Sequence, residues 1–278
     1  MYQSVQSVLL KLLYEIPSPV LLLTAVGLAM VLAGWGQSTV HRHLRRHNLI
    51  GHNEVGGIMI LVAGTLYAVV LGFMTVVVWQ HYIDARQLVV QEADADIDVW
   101  HGAVGLPDTV RARIRRDMVR YAHIMTEKEW PAMRDGRTDL QAAMVVMDAI
   151  DATGRYVPAN GAEENAQQIL LGQLTLMHDS RQQRVDENTG GVSGFEWWIL
   201  IIGGTGIIMF CSIFEVRSPR IQFVMTSIVV TIIVSTLVLL FELQYPFRSD
   251  IGIGPGAWQG ALAHLQLMEH GSMKDMRG

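Results

Sequence analysis

VGGIMILVAGTLYAVVLGFMTVVVW, Val55 to Trp79, runs for 25 residues without a charged side chain. At about 1.5 Å per residue such a helix crosses a hydrocarbon core of roughly 30 Å, so the stretch reads as a membrane span. The continuation, QHYIDARQLVVQEADADIDVWHGAV (residues 80–104), contains no Pro. From Trp79 onward a 4-3 spacing picks out Ile83, Arg86, Val90, Ala93, Ile97, Trp100 and Val104, broken in apolar character only by Arg86. Asp84, Glu92, Asp94, Asp96 and Asp98 fall off that line. The pattern predicts one helix that leaves the bilayer as a stalk. Its seam, Trp79, Ile83, Arg86, Val90, Ile97 and Trp100, is where identical copies are expected to meet.

Working outward, 17% of the residues are charged and the mean hydropathy is +0.28, against about 25% charged in an ordinary soluble domain. The deficit sits in four blocks: the stretch above, Val20 to Trp35, Trp197 to Phe214, and Ile221 to Phe241. The first of these in chain order is short unless it begins near Pro17 or passes Gly36. It reads as a span rather than a signal peptide, because only Lys11 flanks it and no small-residue cleavage site follows. The expected fold class is an all-α membrane protein, with four transmembrane helices and a helical extramembrane domain between spans two and three. Expected boundaries are 1–54 (interfacial helix, first span and basic loop), 55–104, 105–195, 196–243, and 244–278 for the tail. A net charge of −5 gives no reason to invoke nucleic acid. The single Cys211 excludes an intrachain disulfide and a Cys-based metal centre.

Residues 1–16 are amphipathic and suit the bilayer interface. A loop is expected from Gln37 to Glu54, with Arg42, Arg45 and Arg46 among His41, His43, His47 and His52. The neighbouring cations disfavour a metal dication there and favour lipid headgroups. In the insert, helices are expected over about Asp108–Glu129, from Thr138 as N-cap to Thr153, and over Ala162–Val185. Arg113, Arg116 and Arg120 share one side of the first of these. Gly190, Gly191 and Gly194 form a joint before the aromatic belt of Phe195, Trp197 and Trp198. Gly203, Gly204 and Gly206 permit close helix approach. Short Arg-bearing loops favour a cytoplasmic side for residues 37–54 and 215–220. The competing cations Lys11, Arg86, Arg181, Arg184 and Arg248 at the other face leave orientation open. After Gln244 a Gly- and Pro-rich segment leads to a short amphipathic helix with Trp258, Leu262, Leu265 and Met268, and the final GSMKDMRG reads as disordered.

Two span faces are candidates for chemistry. At about 100° per residue, Gly57, Gly64, Ala68 and Gly72 share one side of the second span, and Leu66, Val70, Phe73 and Val77 the opposite side. The small side suits helix packing; the bulky side suits either lipid or a hydrophobic pore constriction. On the fourth span Ser227, Thr231, Ser235 and Glu242 form a stripe that suits an ion pathway, or hydroxyls bonded back to their own helix. No phosphate-cradling glycine motif, HExxH or nucleophile elbow is present, so an enzyme is not expected, and neither a metal nor a cofactor is implied.

The segments LGFMTVVVWQHYIDAR (71–86), GLP (105–107), KEWPAM (128–133), FEVRSPRIQ (214–222) and YPFRSDIGIGP (245–255) together resemble the bacterial bestrophin-like membrane family. The resemblance implies a relation to the bestrophins, oligomeric anion channels with four spans per subunit and a helical domain between spans two and three. It departs at Gln244-Tyr245-Pro246-Phe247, where members more often carry an acidic residue and His before Pro-Phe. An acidic cluster of the eukaryotic calcium-binding kind is absent, so calcium gating is not implied. The expected function is therefore a homo-oligomeric channel of the bacterial inner membrane, with lipid, small ions and its own copies as partners. The rival expectation is a non-conducting scaffold or sensor whose helical domain binds a partner. A proton-driven stator would require a mid-span carboxylate, which spans one to three lack.

Overall fold

The computed structural model describes residues 10–44, 53–213 and 218–275, and among them there are helices and no strands. Helix α1 is Ser18–Leu44. It begins beside Pro17 and passes Gly36, which gives the first span its length. It also absorbs Gln37–Leu44, placed in a loop by the sequence reading. The polar side chains there do not stop the helix, because Ser38 and Thr39 both donate to the Trp35 carbonyl, at 2.8 and 2.9 Å. The side chains of residues 41–55, including the four loop histidines and Arg42, Arg45 and Arg46, lie outside the described residues, as does most of the 1–16 segment.

Helix α2 is Asn53–Gly102, 50 residues without a break at Trp79. A 3-10 turn, Ala103–Gly105, ends it. Gly105 is required there, since a Cβ would stand 2.5 Å from that of Ala166. Helix α3 is Asp108–Ile124, followed by a π turn at Met125–Glu129 and by α4, Trp130–Arg134. The expected helix to Glu129 is thus interrupted five residues early, where the chain approaches Pro131. Helix α5 is Leu140–Arg155, capped by Asp139, whose carboxylate accepts from Gln141 N at 2.7 Å; the neighbouring Thr138 had been expected in that role. Helix α6 is Gly161–Thr189, capped by Asn160. Helix α7 is Gly194–Ile213, α8 is Pro219–Leu243, and α9 is Gly256–Asp275. The last of these carries helix through GSMKD, which the sequence reading left disordered.

The helices long and apolar enough to span a membrane number four among the described residues: α1, α2, α7 and α8. The chain divides into two compact units. Unit one comprises residues 1–81, 191–244 and 249–251; unit two comprises 82–190, 245–248 and 252–278.

In unit one, α1 runs antiparallel to α8: the Tyr14 ring stacks on Phe241 at 4.7 Å, and Gly34 faces Phe223. Asp250 closes the start of α1 by accepting from the Ser18 backbone N–H at 3.1 Å and from the Ser18 hydroxyl. Helix α7 seats the Tyr67 ring of α2 on a glycine pair. The phenol donates to Leu200 O at 3.1 Å, and a Cβ on Gly203 or Gly204 would come within 2.6 or 2.8 Å of that ring or hydroxyl. A Cβ on Gly206 would meet nothing within 4 Å among the described residues. Gly203→Ala therefore forces Tyr67 aside, and a loss of about 1 kcal/mol is expected. Comparing thermal midpoints of Gly203→Ala and Gly206→Ala in detergent checks this: only the first should fall.

Unit two is packed around Ile114, Met118, Tyr121, Met133, Leu170 and Leu174, all fully buried. The tail completes it. Phe247 meets the Trp130 ring edge-on at 5.6 Å, Trp258 meets Tyr121 at 5.3 Å, and Leu265 is buried beside them, while Met268 stays 36% exposed. Gly136 holds φ +70, a left-handed conformation that favours glycine, with the Arg248 guanidinium against it.

Candidate functional site

On the spanning half of α2, Leu66, Val70 and Phe73 are exposed and Val77 is half-buried. On the opposite side a Cβ at Gly57, Gly64 or Gly72 would meet nothing within 4 Å. Both faces are therefore uncovered in the single chain. Contact is confined to a third stripe, in which Leu71 and Val78 are buried and Tyr67 reaches α7. The apolar window of α2 is 6% buried, as is that of α1, against 17% for α7 and 22% for α8.

On α8, Thr231 donates its hydroxyl to Ser227 O at 2.8 Å, the helix-internal bond open to any such residue. The Ser227 hydroxyl has no partner among the described residues, and Ser235 is half-buried. Glu242 is 3% exposed, with one oxygen unpartnered, in the last turn of α8. Trp197 donates to Gln244 at 3.0 Å in the following turn.

The second half of α2 is buried within its own chain along a line beside the one on which copies are expected to meet. Ala85, Val89, Glu92, Asp96, Val99 and Ala103 are buried, again at 4-3 spacing but one residue earlier. Of the expected stalk residues, Trp79, Arg86 and Val90 are exposed and Ile83 and Ile97 half-buried. Trp100 is buried in its own unit, with the Arg115 guanidinium 3.9 Å above its ring and Arg115 Nε donating to its carbonyl at 3.2 Å. Ile83, Arg86, Val90, Asp94 and Asp98 line a groove of about 570 Å³ that Gln173 and Leu176 of α6 complete.

Glu92, one of the two acids on this line, is fully partnered. Arg184 of α6 donates through Nε to Glu92 at 2.6 Å and through Nη2 to Glu92 and Glu129, both at 3.1 Å. Tyr121 donates its hydroxyl to Glu92, and Arg181 joins Glu129 at 3.1 Å and the Asp139 carbonyl at 2.9 Å. Glu92, Glu129, Tyr121 and Arg184 have no exposed surface. Burial opposes the Arg184 charge, but the carboxylates of Glu92 and Glu129 outweigh it and raise its pKa. Burial raises that of Glu129 against the pull of Arg184 and Arg181, and burial and then Glu92 lift the Tyr121 phenol well above its usual range. Two acids and two guanidinium groups make this cluster neutral overall. Sequence reasoning missed it, having read Glu92 and Asp96 only as lying off the 4-3 line and Arg181 and Arg184 as lying near a membrane face.

Asp96, one turn beyond Glu92, is fully buried with neither oxygen partnered among the described residues. Burial, then the Glu92 carboxylate, push its pKa well above the ordinary range.

Comparisons with known proteins agree with this architecture. No curated relative matches the sequence. The fold is shared with a crystal structure of a bacterial bestrophin homologue from Klebsiella pneumoniae carrying an isoleucine-to-threonine mutation, at a TM-score of 0.67 and 13% identity over 87% of this chain and 99% of that one. A second structure of the Klebsiella pneumoniae homologue gives 0.65 and 15% over 89% and 96%. A membrane protein with a proline-to-alanine substitution gives 0.68 and 13% over 87% and 98%. Such identities speak to the fold alone. The Bestrophin-like domain model, however, matches residues 13–258, and the chain belongs to that family.

Proposed function

We propose that this chain is one subunit of a homo-oligomeric ion channel in a bacterial inner membrane, with α2 nearest the shared axis. The observation that carries this reading is the bareness of α2. Its glycine face and its Leu66, Val70, Phe73 face are both uncovered in one chain. A helix meant only for lipid has no use for a small face, whereas one wedged between copies of itself needs close backbone approach on that side. The bulky face then rings the axis as an apolar constriction that gates by dewetting. The groove at Ile83, Arg86 and Val90 receives the next copy along the extramembrane half. Membership of the family supports conduction, and anions are the first species to test. The reading is of transport rather than catalysis.

Purified protein in planar bilayers should pass current, and Phe73→Ala should raise unitary conductance by about twofold or more by widening the constriction. Glu242→Gln should change conductance or its pH response; unchanged currents remove Glu242 and its stripe from the pathway. Silence of the wild type across ion species returns the protein to the non-conducting scaffold reading.

A further inference from the structure

Between α1, α7 and α8, in the membrane-spanning part of unit one, lies a groove of about 290 Å³ lined by Ala33 and Gly36 of α1, Ile201, Gly204 and Ser212 of α7, and Leu237 of α8. Its rim is open: Leu32 and Met209, which also line it, are 58% and 63% exposed. We propose that this groove is a binding site for an anionic phospholipid such as phosphatidylglycerol, with one acyl chain lying in it and the phosphate at its Gly36–Ser212 end.

The walls and the depth choose an acyl chain. Of the lining side chains only those of Thr205 and Ser212 are polar, and the Ser212 hydroxyl donates to the Ile208 carbonyl at 3.1 Å. Walls of this kind do not hold water. From Ile201 to Ser212 the groove follows α7 for about 16 Å at 1.5 Å per residue, half of a hydrocarbon core of roughly 30 Å. It therefore covers one leaflet, the depth that a single chain occupies.

Charge chooses the headgroup. Phe223 lies against Gly34, so Arg220, one turn earlier on the antiparallel α8, stands near the level of Gln37 at the outer end of the groove. Arg220 is exposed and sits in the first turn of α8, where backbone N–H groups lack helical partners and the helix dipole favours an anion. The segments that flank this end in sequence, 37–54 and 214–220, carry five arginines against two glutamates. Each cation at the membrane surface favours an anionic lipid over a zwitterionic one. The deep end, at Ile201 and Leu237, carries no charge and suits the tip of the chain.

A Cβ at Gly36 would meet nothing within 4 Å, and the same holds at Gly27, which is on α1 but outside the groove. Gly36→Phe is thus a plug and Gly27→Phe its control. The full chain in detergent, washed free of lipid, is titrated with phosphatidylglycerol or with phosphatidylcholine of the same chains and weighed by native mass spectrometry. Wild type and Gly27→Phe should each retain about one phosphatidylglycerol per chain, at a lipid concentration about fivefold lower than phosphatidylcholine needs. Gly36→Phe should lose that lipid, and Arg220→Gln should lose the fivefold preference while still holding a lipid. In the unaltered protein, phosphatidylglycerol with a photoreactive group in its acyl chain should label peptides 29–36 and 201–212 ahead of the Leu66–Val77 face of α2. Equal affinity for the two lipids, undiminished binding by Gly36→Phe, or labelling spread evenly over the spans overturns the assignment. So does a fall in particle mass in Gly36→Phe, which would give the groove to a second copy of the chain.

Discussion

Replacing Arg184 by Met lowers the stability of the protein by about 3–5 kcal/mol, because it strands two buried carboxylates. Arg184 is the shared counter-ion of Glu92 and Glu129, and none of the three has solvent to fall back on. Removing the guanidinium deletes three charge-assisted hydrogen bonds and leaves Arg181, already bonded to Glu129 and to the Asp139 carbonyl, as the nearest cation described. Met matches the apolar surroundings, since Arg184 already lies against Met125 and Met133. The cost is therefore electrostatic rather than a cavity. Thermal unfolding in detergent measures the loss. The triple variant Arg184→Met, Glu92→Gln, Glu129→Gln should recover much of it, since neutral amides bear burial better than bare charges. A single variant that unfolds like the wild type would mean that water reaches the cluster.

Asp96→Asn acts in the opposite direction and raises stability at neutral pH, by up to about 3 kcal/mol. The native pKa of Asp96 lies above its unfolded value, so the folded state keeps a proton that the unfolded chain releases above about pH 4. The stability this group contributes is full below that pH. It declines as pH rises toward the native pKa and is level beyond it. Asn never ionises, so its advantage over the wild type is small near pH 4 and grows with pH until the plateau. Midpoints of both proteins at pH 5 and pH 8 decide the matter: the gap should be wider at pH 8. An equal penalty for the variant at both values would show Asp96 to be ionised and paired in the native state.

These two residues also show where sequence reasoning stops. The four spans were legible because 20-residue apolar runs have few other uses, and the continuity of α2 was legible because nothing between Asn53 and Gly102 breaks a helix. The line along which α2 is buried in its own chain, one residue before the line on which copies are expected to meet, was not legible. A periodicity count leaves Glu92 and Asp96 off the apolar line, and only the fold brings Arg184, 92 positions away, to meet Glu92. Nothing local to Arg181 or Arg184 separates a core counter-ion from a cation at a membrane edge. The span faces were legible as patterns, since the wheel that separates Gly57, Gly64 and Gly72 from Leu66, Val70 and Phe73 needs only helical geometry. What covers those faces is a property of neighbours, which one chain does not contain.

The wide turn at Met125–Glu129 acts as a phase correction. Along an unbroken α-helix, Trp130 and Met133 would point roughly 100–160° away from Ile114. The one extra residue that the wider turn takes up winds them back by about 100°, and both are buried. Segment length here is thus held by angular bookkeeping more tightly than by the identity of any single side chain: a deletion would leave a helix, but one with its tryptophan pointed outward.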